Sequence, residues 1–457
     1  MLKFKRSIRI MTYFIFAMFV LLGASMVKTV SDKDTFLSNP YNRRLYLSEE
    51  GVKRGSIKDI NGNILAESIL ENDTYRRIYN YPEIVSNVTG YVDKGKTGVE
   101  SAYNYHLEDI DSELLQRLKN VIFSNEIICK DVVLTIDLDL QKKAIEILGS
   151  NKGAIVVMEA DTGKIKAMVS NPSYNSNTVY EDWDKLNNDS SGPLINRASQ
   201  GLYTPGSTFK IITLLSAMEN NPELLSQQYE CTGFEYFDGK VIRCFDETAH
   251  GIITSKEAFA KSCNCYFSKL GELVGTEKLR STAEKLGFNS GIGFDLNYSV
   301  SQFMLDDDSI LSEVVETSIG QGKTLATPLN MAMITSAIIN EGKMMKPYIL
   351  DHVENSKGNR ESITIPSVLS TPISTADSLT LKEYMISVVN EGTGYLAAID
   401  GKVVGGKTGT AENPNGTDHL WFTGFCGNNV VTVVLENPDG ALRATQAANY
   451  IFKFITE

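Results

Sequence analysis

Strand-forming stretches fall into two groups in this sequence, and the distance between them constrains the fold more than any other feature. GAIVVMEADTGKIKAMVS places apolar runs at 154–158 and 165–169 on either side of Asp161-Thr162-Gly163, the pattern of an antiparallel hairpin. Strand character then lapses across 187–390, a middle section of mostly helical pattern. It returns in KVVGGKTGTA, HLWFTGFC and NVVTVVLEN, and the chain closes on an amphipathic helix over 443–455. Strands need partners for their backbone groups. The two groups must therefore pair across the helical insertion, which predicts an α+β fold over 132–457: a five-stranded antiparallel sheet flanked by helices. A short strand near Val132 and a helix led by Asp137 open this region.

Residues 29–131 have a different texture, polar and turn-rich. Asp59-Ile60-Asn61-Gly62 is a hairpin signal between Ile57 and Ile64-Leu65, and a Gly-rich loop runs into a helix over 90–107. Nothing here assembles a site, so the segment reads as a small β-rich spacer or docking domain. Before it, Lys3, Lys5, Arg6 and Arg9 precede an uncharged apolar run at 10–27, long enough to span a bilayer with some tilt or help from its flanks. The basic cluster stays cytoplasmic and everything after Lys28 lies outside. A transmembrane anchor over 1–28 is the preferred reading. A signal peptide cut near Gly23 to Ser25 is the rival.

Net charge of -12 with 22% charged residues excludes a typical nucleic-acid binder. The four histidines (His106, His250, His352, His419) have neither triad nor metal-site spacing to a neighbour, so any serine chemistry needs another base. YTPGSTFKIITLLS supplies one. Pro205 and Gly206 break the chain before an apolar helix beginning near Ser207, and an i,i+3 pair brings Ser207 and Lys210 onto one face. Burial, a second cation and the positive helix end would each lower the pKa of the lysine. A lone S-x-x-K is more often a cap and a surface lysine, as Ser25 to Lys28 at the membrane edge illustrates. Two further motifs follow in order. Ser262-Cys263-Asn264 comes after a helix beginning near Thr254, and Lys407-Thr408-Gly409-Thr410 lies on a strand. Decoys, Ser173-Tyr174-Asn175 and Lys96-Thr97-Gly98, sit outside such contexts.

The six cysteines (Cys129, Cys231, Cys244, Cys263, Cys265, Cys426) are too few for a disulfide framework. Cys231 and Cys244 could form one bridge. With His250, Cys263 and Cys265 close by, a zinc site is a second option, and free thiols a third.

Together the three motifs resemble the S-x-x-K, S-D-N and K-T-G set of penicillin-binding proteins and class A β-lactamases. RGSIKDINGNILA, GKTGVE, LTIDLDLQ, INRASQGLYTPGSTFK, CTGFEYFDGKVIRC, SCN, SIGQGKTLATPLNMA, GKTGTAE and WFTGF, in this order after the anchor, resemble the blocks of class B (monofunctional) penicillin-binding proteins, the cell-wall D,D-transpeptidases. The likeness runs over nearly the whole chain. It implies the penicillin-binding, serine β-lactamase-like transpeptidase fold on a spacer. It also implies roles: Ser207 as the nucleophile on a D-Ala-D-Ala donor stem peptide, Lys210 as its base, and Ser262 as proton relay. Asn264 would hold Lys210 and the donor amide, and Lys407 would supply charge near the substrate carboxylate. Thr408, Gly409 and Thr410 would bind that carboxylate, with the N–H groups of Ser207 and Thr410 as oxyanion hole. An amine of a second stem peptide is the acceptor, and β-lactams acylate the same serine.

No cofactor and no metal is assigned to the site. A polytopic peptidoglycan glycosyltransferase is the implied partner, contacted through anchor and spacer in the bacterial cell membrane. Cys263 replaces the middle aspartate of S-D-N, and no E-x-x-L-N block follows Ser262, which points away from class A β-lactamases. A D,D-carboxypeptidase or β-lactamase on the same fold is one alternative. A non-catalytic β-lactam sensor or scaffold is another. The segment before Val132 is too short for an added glycosyltransferase domain.

Overall fold

A computed structural model describes residues 11–23, 25, 53–108, 129–355, 357–412, 417–438 and 440–457. Residues 11–23 are helical. Among the described residues no helix is long and apolar enough to cross a membrane. Parts of the expected anchor, including Ile10 and Val27, lie outside the described residues, as do spacer residues 109–128.

The expected hairpin forms, with Ile57–Lys58 antiparallel to Ile64–Glu71. Buried Asp59 closes its turn. Its carboxylate accepts from Asn61 N (3.0 Å), Asn63 N (2.7 Å) and Asn63 Nδ2 (2.9 Å), and also from Leu138 N (3.1 Å) at the start of the next region. These strands belong to a six-stranded sheet in the order Arg360–Ile363, Leu350–Glu354, Asp131–Leu134, Ile57–Lys58, Ile64–Glu71, Thr74–Tyr79. The sheet thus runs across the 131/132 boundary, taking strands from within the C-terminal region.

The central sheet consists of β1 (Gly153–Glu159), β2 (Ile165–Asn171), β3 (Val404–Ala411), β4 (His419–Cys426) and β5 (Asn429–Leu435). Its order is β3-β4-β5-β1-β2, antiparallel throughout, so β5 pairing with β1 (Val431↔Val157, Val433↔Ile155) joins the two strand groups. Positioning helices are α1 (Leu138–Leu148, N-capped by Asp137), α2 (Lys210–Asn220), α3 (Ser255–Ala260), α4 (Asn264–Val274), α5 (Pro328–Ile339), α6 (Thr375–Glu391) and α7 (Ala444–Thr456).

Side chains alternate across a strand. Ile155 and Val157 accordingly pack with Leu140, Ala144, Ile451 and Phe452 of α1 and α7. Ala154, Val156 and Met158 face the opposite core, which contains α5. Buried on all sides from Pro328 to Ile338, α5 is a central strut rather than a surface helix. The middle section also holds strands that its helical pattern did not announce: Tyr229–Cys231, Phe234–Phe237, Lys240–Arg243 and Gly251–Ile253, then Met344–Met345 and Val368–Ser370. Each is too short for alternation to register.

Candidate active site

The chain reaches Ser207 through a 3-10 turn, Gly206–Phe209, and the α-helix proper begins at Lys210, three residues later than expected. Backbone closeness explains the glycines around it. Gly206 has φ +53°, and a Cβ there would lie 2.5 Å from Thr410 O. One on Gly409 would lie 2.9 Å from Pro205 O. The serine turn and edge strand β3 can therefore touch only because both positions lack a side chain. Gly206 N donates to Gly320 O (2.9 Å), fixing the turn from the other side.

Lys210, Ser262, Asn264 and Lys407 meet in one cluster. Lys210 Nζ donates to Ser262 O (2.7 Å), Asn264 Oδ1 (2.7 Å) and Ser262 Oγ (3.2 Å). Lys407 Nζ donates to Ser262 Oγ (2.9 Å) and Thr408 O (3.1 Å). Ser262 sits between α3 and α4 at φ +56°, left-handed backbone for a non-glycine residue. A capping box of Thr254 and Glu257 starts α3, and Asn264 Nδ2 donates to Arg243 O (2.8 Å). Both lysines are fully buried, and among the described residues neither has a salt-bridge partner. Their amines instead stand 5.5 Å and 5.6 Å from the ring centres of Phe267 and Phe259.

Burial lowers the pKa of Lys210 to about 8, with the thiols of Cys263, Cys244 and Cys265 acting in the opposite direction. Lys407 is held well below the ordinary lysine value by burial first and by the charge of Lys210 second. Ser207 is half-buried, and among the described residues its Oγ has no hydrogen-bond partner. The i,i+3 pair is therefore not joined directly, because all the donors of Lys210 are turned toward Ser262 and Asn264. Such bonds often tighten only when substrate arrives.

Two residues with no role assigned from sequence contact the site. Thr393, just after α6, shares a 2.6 Å hydrogen bond with Thr408 through their Oγ1 atoms, and its N–H donates to Ala260 O (3.1 Å). Gln321 donates from Nε2 to Thr410 O (3.3 Å) and accepts from Glu412 N (3.3 Å), strapping the end of β3. Gln321 lies within SIGQGKTLATP, and a threonine between Gly392 and Gly394 was the available signal for the other. The decoys are structural: Lys96 pairs with Glu108 (2.7 Å) and Tyr174 Oη donates to Ser86 O (2.9 Å).

The bridge considered for Cys231 and Cys244 does not form. Their sulfurs are 3.7 Å apart, against about 2.05 Å for a disulfide. Cys231, Cys244, His250 and Cys263 instead place their donor atoms within 4.8 Å of one another, a group able to hold a metal.

Known proteins resemble this chain over most of its length. Residues 153–457 match the penicillin-binding protein transpeptidase domain, and 54–130 match the penicillin-binding protein A dimerisation domain. The chain is 31% identical over 464 residues to peptidoglycan D,D-transpeptidase PbpA of Mycolicibacterium smegmatis, covering 94% of this chain and 93% of that one. It is 28% identical to peptidoglycan D,D-transpeptidase MrdA of Haemophilus influenzae, over 80% of this chain and 67% of that one. The D,D-transpeptidase domain of a peptidoglycan glycosyltransferase from Eggerthella lenta superposes with a TM-score of 0.80 at 33% identity, over 89% of this chain and 98% of that one. Penicillin-binding protein A of M. tuberculosis, as its imipenem acyl-enzyme, superposes with a TM-score of 0.82 at 27% identity, over 89% and 99%.

Proposed function

The chain belongs to the penicillin-binding protein transpeptidase family, and on that premise we propose how its residues perform the serine-type D,D-transpeptidase reaction of peptidoglycan synthesis. One observation carries the proposal: two buried amines, from positions 210 and 407, converge on the single hydroxyl of Ser262 at 3.2 and 2.9 Å. Like charges buried together cannot both stay protonated cheaply. A donor stem peptide lies along the free edge of β3, its terminal carboxylate beside Lys407, Thr408 and Thr410. That carboxylate favours the charged form of Lys407. Lys210, facing a cation in a dry site, then gives up its own proton.

Free-base Lys210 takes the Ser207 Oγ proton as Oγ attacks the penultimate D-Ala carbonyl. The N–H groups of Ser207 and Thr410 donate hydrogen bonds to the developing oxyanion. When the C–N bond breaks, the proton passes from Lys210 through Ser262 Oγ to the departing amine of D-Ala. An acceptor amine then attacks the acyl-serine, loses its proton to Lys210, and Ser207 Oγ is reprotonated. No cofactor enters. A β-lactam follows the first half of this path, but its opened ring remains attached and no leaving group departs. The ester on Ser207 therefore persists.

Residues 1–28 would anchor the protein in the bacterial cell membrane with the catalytic region outside. Anchor and spacer together would dock a polytopic glycosyltransferase that supplies glycan strands. Fluorescent penicillin on membranes expressing the chain tests the core of this proposal: wild type is labelled and Ser207→Ala is not. Labelling of the alanine variant would overturn it. A stem peptide offered with an acceptor amine should yield cross-linked product in excess of hydrolysed peptide, and the reverse ratio would identify a carboxypeptidase.

A further inference from the structure

Between α6 and β3 the chain makes the turn Gly392-Thr393-Gly394, whose middle residue carries the only side chain. Gly392 packs so tightly on the end of α3 that a Cβ there would lie 2.1 Å from Ala260 O. Thr393 N donates to the same Ala260 O (3.1 Å), and Gly394 N donates to Val388 O (2.9 Å) inside α6. The backbone of the turn is thereby fixed from two sides. Its threonine is left exposed, with Oγ1 2.6 Å from Thr408 Oγ1 on β3. Thr393 thus ties together two parts of the cleft: Ala260 lies two residues before Ser262, and Thr408 directly follows Lys407.

A hydroxyl holds one proton and two lone pairs. At 2.6 Å one proton lies between the two oxygens, and its origin decides what Thr408 can do. If Thr408 supplies it, Thr408 presents only lone pairs to the cleft, and these repel an anion. If Thr393 supplies it, the Thr408 proton is free to point at a carboxylate, and the shared hydrogen bond polarises that O–H further. Among the described residues the Thr408 hydroxyl has no hydrogen-bond partner besides Thr393, so no other group competes to turn it. A carboxylate seated beside β3 therefore selects the second arrangement.

We propose that Thr393 is a positioning residue of the donor site: its hydroxyl donates to Thr408 Oγ1 and aims the Thr408 proton at the free terminal carboxylate of the donor stem peptide. This rests on the transpeptidase reading above and sharpens its substrate class. The donor must end in an ionised carboxylate, because an ester or amide at that position carries no charge for the paired hydroxyls to meet. Lys407 supplies the charge and the two threonines supply the direction. Among the described residues Thr393 bonds neither Ser207 nor Lys210, so the proton transfers of acylation do not pass through it.

A penicillin carrying its carboxylate, and the methyl ester of the same penicillin, test this on the full-length protein. Acylation is followed by intact mass, and its dependence on drug concentration separates binding from the chemical step. Thr393→Val keeps the side-chain shape and the backbone bond to Ala260 O while deleting the hydroxyl. It should weaken binding of the carboxylate drug about tenfold, hold the chemical step within about twofold, and leave the ester unaffected. Thr393→Ser should restore wild-type binding. Acylation in both variants should still rise through about pH 8, since Lys210 is untouched. Equal slowing of acid and ester, failure of Thr393→Ser to rescue, or wild-type binding by Thr393→Val would each overturn the proposal while leaving Ser207 as the acylated residue. Wild-type protein that neither drug acylates would overturn the transpeptidase reading and this proposal with it.

Discussion

Lys96-Thr97-Gly98 and Lys407-Thr408-Gly409 are the same tripeptide in two settings. Lys96 belongs to a network in which its amine meets Glu108 at 2.7 Å, while Arg54 and Arg77 hold Glu100 at 2.7 and 2.6 Å. Burial alone would raise the pKa of Glu100, but Arg77 and Arg54 overcome it and keep the carboxyl below its ordinary value. Opposite charges satisfy each other there, and the result is a rigid joint. Lys407, fully buried where the Lys96 side chain keeps 4% exposure, faces a second lysine, hydroxyls and aromatic rings. Buried charge without a counter-ion is held ready to lose its proton. Pairing, not burial, separates the structural motif from the chemical one.

The largest effect expected is on the cleft. Lys210→Ala should slow acylation by fluorescent penicillin about a hundredfold to ten-thousandfold in protein that still melts cooperatively, because the base is lost. Glu100→Gln should do the reverse. Arg54 keeps Glu108, but buried Arg77 is left without its carboxylate, which costs about 3–5 kcal/mol, read as a fall in urea midpoint, while folded protein acylates at the wild-type rate. Equal damage to both readouts from either variant would break the contrast.

pH should separate the regions by window, since both groups make stability rise with pH but at opposite ends of the scale. Glu100 has a lowered folded pKa, so its contribution to stability is complete above the unfolded value and disappears as acid carries the pH down through the folded one. For Lys210, lowered from 10.5 to about 8, the unfolded chain holds more protons between those values, so this group makes stability rise with pH across that window. Acylation should likewise rise as pH climbs through about 8. Urea melts and labelling rates on one pH series check all three. A smaller effect is expected at Gln321→Ala, which unstraps the Thr410 carbonyl and should slow acylation by about tenfold through misplacement of β3. Smallest of all is Asp307→Asn, whose exposed pair with Arg280 should be worth less than about 1 kcal/mol and leave acylation untouched.

Much of the architecture was legible because it is written in local pattern. Apolar runs at 154–158 and 165–169 and strand character over 402–411, 419–426 and 429–437 called for five antiparallel strands, and Asp59-Ile60-Asn61-Gly62 and the helix starts at Asp137 and Thr254 mark elements that form. The short strands between 229 and 253 escaped notice, since three or four residues carry no readable period. Thr393 and Gln321 escaped for another reason: each acts through hydrogen bonds to residues far along the chain, Thr408 lying 15 positions from the first and Thr410 89 from the second.

Local pattern by itself determined which segments become strand or helix, and the ordered motifs determined which side chains are chemical candidates, because both are written in neighbouring residues. Only the tertiary structure decided that Lys210 and Lys407 share the Ser262 hydroxyl, that Cys231 and Cys244 stand apart with His250 and Cys263 beside them, and that Lys96 is neutralised while Lys407 is not. Those outcomes depend on distances across separations of 52 and 145 residues, and on which groups burial leaves without an opposite charge. Neither quantity exists in the chain until the sheet has closed.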